Sequence, residues 1–127
     1  MKTELQKTLS KIAPYILIRT IWEHDCDMID IRRHCDGMDD EDPNDWQAWQ
    51  SNVQAVAIIE GEEIEGNAYL GGTWEKASDV PEESNPDISG YELGMTVEAL
   101  RALGEQITEP LIASQIIDAI RHCESIA

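Results

Sequence analysis

The sequence predicts an α+β domain, a small antiparallel sheet of about three strands with helices packed on one face. Three observations carry that expectation. After one short helical stretch, strand-like runs precede a pair of helix-like runs, an order that sets helices against one side of a sheet. The chain has 127 residues, the size of one domain with a single core, so residues 1–127 are read as one unit. Its 42% hydrophobic residues come in periodic runs, which separates it from disordered acidic chains in spite of a net charge of -17.

The elements follow in order. Thr3 to Ala13 reads as an amphipathic helix, with Leu5, Leu9 and Ile12 at helical spacing, lysines on the wet side and Pro14 as its stop. Tyr15 to Trp22 is β-branched, aromatic and nearly all apolar, the pattern of a buried strand. Glu23 to Arg33 admits either a continued strand or a helical turn. Gly37 to Asp45 is loop by composition, and Asn44 or Asp45 is placed to cap a short helix carrying Trp46 and Trp49. Gln54 to Glu60 and Glu62 to Trp74 flank Gly61 as a hairpin. Within its second arm Gly66, Gly71 and Gly72 mark a bulge or a close backbone approach. Ser78 to Gly90 is a polar connector. Thr96 is placed to cap a helix to about Leu103, and Thr108 with Pro110 to open a last helix to about Ser125. Ile112, Ile116, Ile120 and Cys123 form that helix's inward stripe.

Charge is placed rather than spread. Between Glu23 and Glu65 stand 14 acidic residues against Arg32 and Arg33 alone, whereas the first 22 residues are net positive. Like charges held so close repel one another, and a fold that keeps them is expected to use their field. Such a surface repels nucleic acid and anionic membranes, so basic proteins are the natural partners. No apolar run reaches the length of a membrane span, and Met1 to Ala13 has no continuous apolar core of the kind a signal peptide needs; a cytoplasmic location is the expectation.

Each histidine lies beside a cysteine: His24 with Cys26, His34 with Cys35, His122 with Cys123. Imidazole and thiolate suit zinc, yet no paired-ligand spacing is present, and neighbours such as His34 and Cys35 point to opposite faces of a strand. An odd cysteine count without an export signal argues for reduced thiols. Asp25, Asp27 and Asp30 offer oxygen ligands for a divalent cation, which makes a metal-dependent hydrolase the alternative from another class. Against it, phosphoryl chemistry needs cationic groups around its substrate, and this region has few. No nucleophile motif or phosphate loop is present, so the expectation is no enzyme and no cofactor.

Trp46 and Trp49, three apart within the acidic region, share one side of any helix there. They are read either as plugs of the core edge or as aromatic anchors rimmed by carboxylates. The partner-binding residues expected are Asp39, Asp40, Glu41, Asp42, Asp45, Trp46 and Trp49, continued by Glu60, Glu62, Glu63 and Glu65 on the hairpin tip.

Tyr-Leu-Gly-Gly-Thr-Trp-Glu-Lys-Ala at residues 69–77, Glu-Ser-Asn-Pro-Asp-Ile-Ser-Gly-Tyr-Glu at 83–92 and the Met-Thr-Val-Glu-Ala-Leu that follows resemble small uncharacterised bacteriophage and prophage proteins. The resemblance covers about the middle half of the chain and brings no site residues. It implies a role like that of the acidic phage proteins that mimic DNA, the anti-restriction and anti-CRISPR inhibitors. The function expected is thus an acidic inhibitor or decoy of a basic DNA- or RNA-handling protein, with a homodimer allowed; an immunity protein for a basic nuclease toxin uses the same physics.

Overall fold

The computed structural model describes residues 2–25, 30–76 and 91–127. Its elements are α1 (Glu4–Ile12), β1 (Leu17–His24), two short 3-10 turns (Ile31–Arg33 and Pro43–Asp45), β2 (Trp46–Ile59), β3 (Glu62–Lys76), α2 (Glu92–Gly104) and α3 (Pro110–Ile126). The strands form one antiparallel sheet in the order β1-β2-β3, so the longest strand but one, β2, is central and both its neighbours are edges. The expected α+β layout is the one observed. The connector expected at Ser78 to Gly90 lies outside the described residues.

Strand alternation sorts the sheet into two faces. Ile18, Val53, Ala55, Ala57 and Ala68 point toward the helices and are almost fully buried. Their small size lets α2 lie close: a Cβ placed on Gly66 would come 2.1 Å from the Ala99 carbonyl oxygen and 2.3 Å from the Leu103 nitrogen. Against this layer pack Leu9 of α1 and Met95, Ala99, Leu100 and Leu103 of α2. The inner stripe of α3, Ile112, Ile116, Ala119 and Cys123, closes the core over α1 and α2. The backbone N–H of Tyr15 donates to the buried Gln115 side chain, which fixes α3 to the turn before β1. Thr3 caps α1 in a reciprocal box with Gln6 and also donates from its hydroxyl to Glu92 at the start of α2, joining the two helix N-termini.

Three local expectations change. β2 begins at Trp46, not near Gln54, because β3 runs on to Lys76 and pairs with it there: Trp46 faces Lys76 and Trp49 faces Thr73. The helix expected to carry Trp46 and Trp49 is therefore a strand, and the turn before it is capped by Asp42, whose carboxylate accepts from the Asn44 backbone N–H. α2 starts at Glu92, which leaves Thr96 buried inside the helix rather than at its cap. Glu109, not Thr108, caps α3, accepting from the backbone N–H groups of Leu111 and Ile112 ahead of Pro110. Of the three glycines expected to mark a bulge or a close backbone approach, Gly66 meets the backbone of α2, and Gly71 and Gly72 fall where the register shifts opposite Trp49 to Ser51.

Candidate partner-binding surface

The segment between Asp30 and Trp46 folds back over one end of the sheet face that points away from the helices. Asp30 starts it: its carboxylate caps the first 3-10 turn at the Arg32 backbone N–H and takes two bonds from the Arg32 guanidinium, at 3.0 and 2.8 Å. Those bonds to Arg32 hold the Asp30 carboxyl at about 2, below the usual 3.8. Arg32 is shifted upward in return, first by Asp30 and then by the fields of Asp42 and Asp39. Ile31 then buries its side chain, and the His34 ring stacks on Trp74 with centroids 5.9 Å apart. Trp74 lies opposite Ala48 in the register, so His34, Trp74, Ala48 and Trp46 occupy one side of the sheet.

The two expected tryptophans part company there. Three residues apart on a strand means opposite faces, so Trp46 and Trp49 do not form one aromatic patch. Trp46 donates its indole N–H to Glu41, at 3.2 Å, and the Lys76 ammonium sits 4.4 Å from its ring centroid. It is a ring already engaged by one acid and one base of its own chain. Trp49 points toward the helix side, where the His24 ring meets it edge-on at 4.3 Å. Its indole N–H is enclosed and, among the described residues, meets no acceptor. That position favours the reading of Trp49 as a plug of the core's open end.

Asp39, Asp40, Asp42 and Asp45 are exposed around this end, and Glu41 is partly covered by its bond to Trp46. The second expected group, Glu60, Glu62, Glu63 and Glu65, stands on the hairpin turn and the first residues of β3. The two groups do not make one continuous face. β2 separates them along its full 14 residues, and a strand of that length spans ~40 Å. The tip group also has an opposing charge that the sequence reading missed. Arg19 of β1 reaches across Gln54 to Glu63 at 3.2 Å and Glu65 at 3.7 Å, and its Nε donates to Gln54 at 2.7 Å. Register alone brings them together: Arg19 pairs with Gln54, which pairs with Asn67, one pleat from Glu65. A sequence signal existed only in hindsight of that register, since Arg19 is the single charge within an apolar run.

The histidine and cysteine pairs are dispersed. His24 contacts Trp49, His34 stacks on Trp74, and Cys123 lies in the core, where burial pushes its thiol pKa up and away from thiolate character. Cys26 and Asp27 lie outside the described residues; of the acids considered for a divalent cation, Asp30 is committed to Arg32 and the Asp25 carboxylate lies 3.1 Å from where a Cβ on Gly71 would stand. Among the described residues no three His, Cys, Asp or Glu side chains converge as a metal site requires. Nor, among them, is any helix long and apolar enough to cross a membrane.

No protein-family model, curated protein or solved structure matched the chain.

Proposed function

We propose that this chain is an acidic protein-interaction domain that acts as an inhibitor or nucleic-acid-mimicking decoy of a basic DNA- or RNA-binding protein. One observation supports this reading above the others: Asp39, Asp40, Asp42 and Asp45 are exposed, and among the described residues the side chain of Asp42 alone of the four takes a hydrogen bond, while Arg32 is tied to Asp30. Carboxylates placed in solvent without an ion pair of their own add little stability, so their use lies in the field they project. That field raises encounter rates with a cationic groove and disfavours anionic competitors. The resemblance of residues 69–77 and 83–92 to phage and prophage proteins fits an inhibitor that works inside a bacterial host, of the anti-restriction or anti-CRISPR kind.

The test is capture of partners by the full chain from a bacterial lysate, with a variant carrying Asp39→Asn, Asp40→Asn and Asp45→Asn beside it. Asp42 is left intact because it caps the turn before β2. The wild type is expected to retain DNA- or RNA-binding proteins at low salt and release them at high salt or on addition of excess DNA, and the variant to retain several-fold less. Equal retention by the two proteins overturns the reading.

A further inference from the structure

The helix layer carries an apolar groove between α2 and α3. The inner stripe of α3 packs toward α1 and α2, and a further run on an adjacent face, Ala113, Ile117 and Ile120, repeats the alternation of four and three residues by which one helix seats another. Ala113 and Ile120 rest partly on the core, whereas Ile117 is 50% exposed. Across the groove, whose volume is about 400 Å³, stand Arg101, Gly104 and Glu105 at the end of α2. Gly104 has no side chain and Ala113 a single methyl group, so a hole lies beside the projecting Ile117.

The charges beside this groove sort to its two ends. At one end Arg101 and Glu124 pair at 3.1 Å and the exposed Arg121 adds a second cation, so that end is net positive. The other end, at the connection from α2 to α3, carries the exposed Glu105 and Glu109 and no base. A knob beside a hole, and a positive end opposite a negative one, are what a two-fold contact requires, because the rotation sets each feature against its counterpart on an identical surface. We infer that this groove is a contact between two copies of the chain: α3 runs antiparallel to its equivalent, Ile117 of each copy enters the hole at Gly104 and Ala113 of the other, and Arg121 of each faces Glu105 of the other. A cationic segment of another protein would find the same apolar seat flanked by Arg101 and Arg121, and nucleic acid would meet Glu105 and Glu109, so both are disfavoured. The acidic loop lies over the sheet face that points away from the helices, so the contact keeps the loops of the two copies apart, and the inference stands independently of the decoy reading.

Sedimentation velocity of the full chain, from about 1 μM to about 500 μM, tests the contact. The mass is expected to rise with concentration from the 14.3 kDa of one chain toward twice that value. Ile117→Glu should hold the protein at the single-chain mass throughout and leave the melting temperature of the dilute protein unchanged, since the side chain stands half in solvent. Arg121→Glu should weaken association about tenfold or more, because it sets like charges against each other, and Arg121→Glu combined with Glu105→Arg should restore it. A single-chain mass at every concentration overturns the inference. A dimer that Ile117→Glu leaves intact also overturns it, because the two copies then meet through another surface. So does a double exchange that associates no better than Arg121→Glu alone, because Glu105 and Arg121 then do not meet.

Discussion

Gly66 on β3 and Ala99 on α2 are in backbone contact: the site a Cβ would take on Gly66 lies 2.1 Å from the Ala99 carbonyl oxygen. Gly66 pairs with Ala55 in the sheet, and both face the helix, so α2 rests on strands reduced there to almost bare backbone. The small residues set the distance between the layers, and that distance fixes how deeply Leu100 and Leu103 enter the core.

It follows that Gly66→Ala displaces α2 rather than filling space. The atoms in the way belong to a helix backbone, which cannot rotate aside as a side chain can. Overpacking of this sort costs ~3 kcal/mol or more. Urea unfolding of the variant should show a lowered midpoint, and an unchanged midpoint would mean that the two layers stand further apart. Gly71→Ala, whose new Cβ would meet, among the described residues, the flexible Asp25 carboxylate at 3.1 Å rather than backbone, should be milder.

The hairpin turn holds Glu60 at φ 53 and Gly61 at φ 82, a two-residue connection with both residues in the left-handed region. Glycine adopts that region without penalty, but a glutamate there carries a steric cost of roughly 1 kcal/mol and sits beside the like charge of Glu62. Glu60→Asn should therefore raise stability by about 0.5–1 kcal/mol, read as a higher melting temperature. A fall in melting temperature would show that Glu60 makes a compensating contact.

How far the sequence revealed this architecture depends on where periodicity and packing agree. α1, with its Thr3 cap and Pro14 stop, differs from expectation by one residue at each end, because local signals decide a short capped helix. The first half of β2 was illegible. Gln47, Gln50, Ser51 and Asn52 dilute the strand pattern, and their place in the sheet depends on partners from elsewhere in the chain: the Ser51 hydroxyl bonds to the Leu70 carbonyl and Asn52 to Asn67. The same limit hid the site's geometry. The acids of 39–45 and 60–65 are close in sequence, and only the length of β2 carries them to opposite ends. Arg19 and Lys76, which meet those acids or their neighbours, come from flanking strands by register.

Asp30 gives the chain a defined acid sensitivity. Its folded carboxyl titrates at about 2 against the usual 3.8, because it accepts hydrogen bonds from Arg32. A depressed folded pKa means that the contribution to stability is complete above about 4 and is lost as pH falls through about 2. Comparing wild type with Asp30→Asn across pH should show a difference constant from neutrality to about 4 and shrinking below it. A difference that stays constant down to pH 2 would mean the two bonds to Arg32 do not hold in solution. The general stability of the chain should follow a different course over the same range, since protonating the exposed acids relieves repulsion.

Trp46 and Trp49 offer the sharpest division between structure and recognition, because they sit on opposite faces of one strand. Trp49 contacts His24 on the helix side with its indole N–H enclosed, so truncation opens a cavity that the surrounding β1 and β2 side chains only partly refill. Trp49→Ala should cost ~3 kcal/mol in unfolding free energy. Trp46 lies between Glu41 and Lys76, and its removal forfeits one hydrogen bond and one cation–π contact at a half-exposed site, together ~1–2 kcal/mol. The two variants also differ in what they do to the acidic loop. With Trp46 gone, Glu41 loses its tether and Lys76 its seat, so the local field grows less ordered while the core is untouched. Binding of a cationic partner should accordingly change little with Trp49→Ala once the lower stability is allowed for, and its salt dependence should change with Trp46→Ala. If Trp49→Ala leaves unfolding unaltered yet speeds dissociation of the partner, Trp49 is a docking anchor after all and its enclosure in the fold is opened on binding.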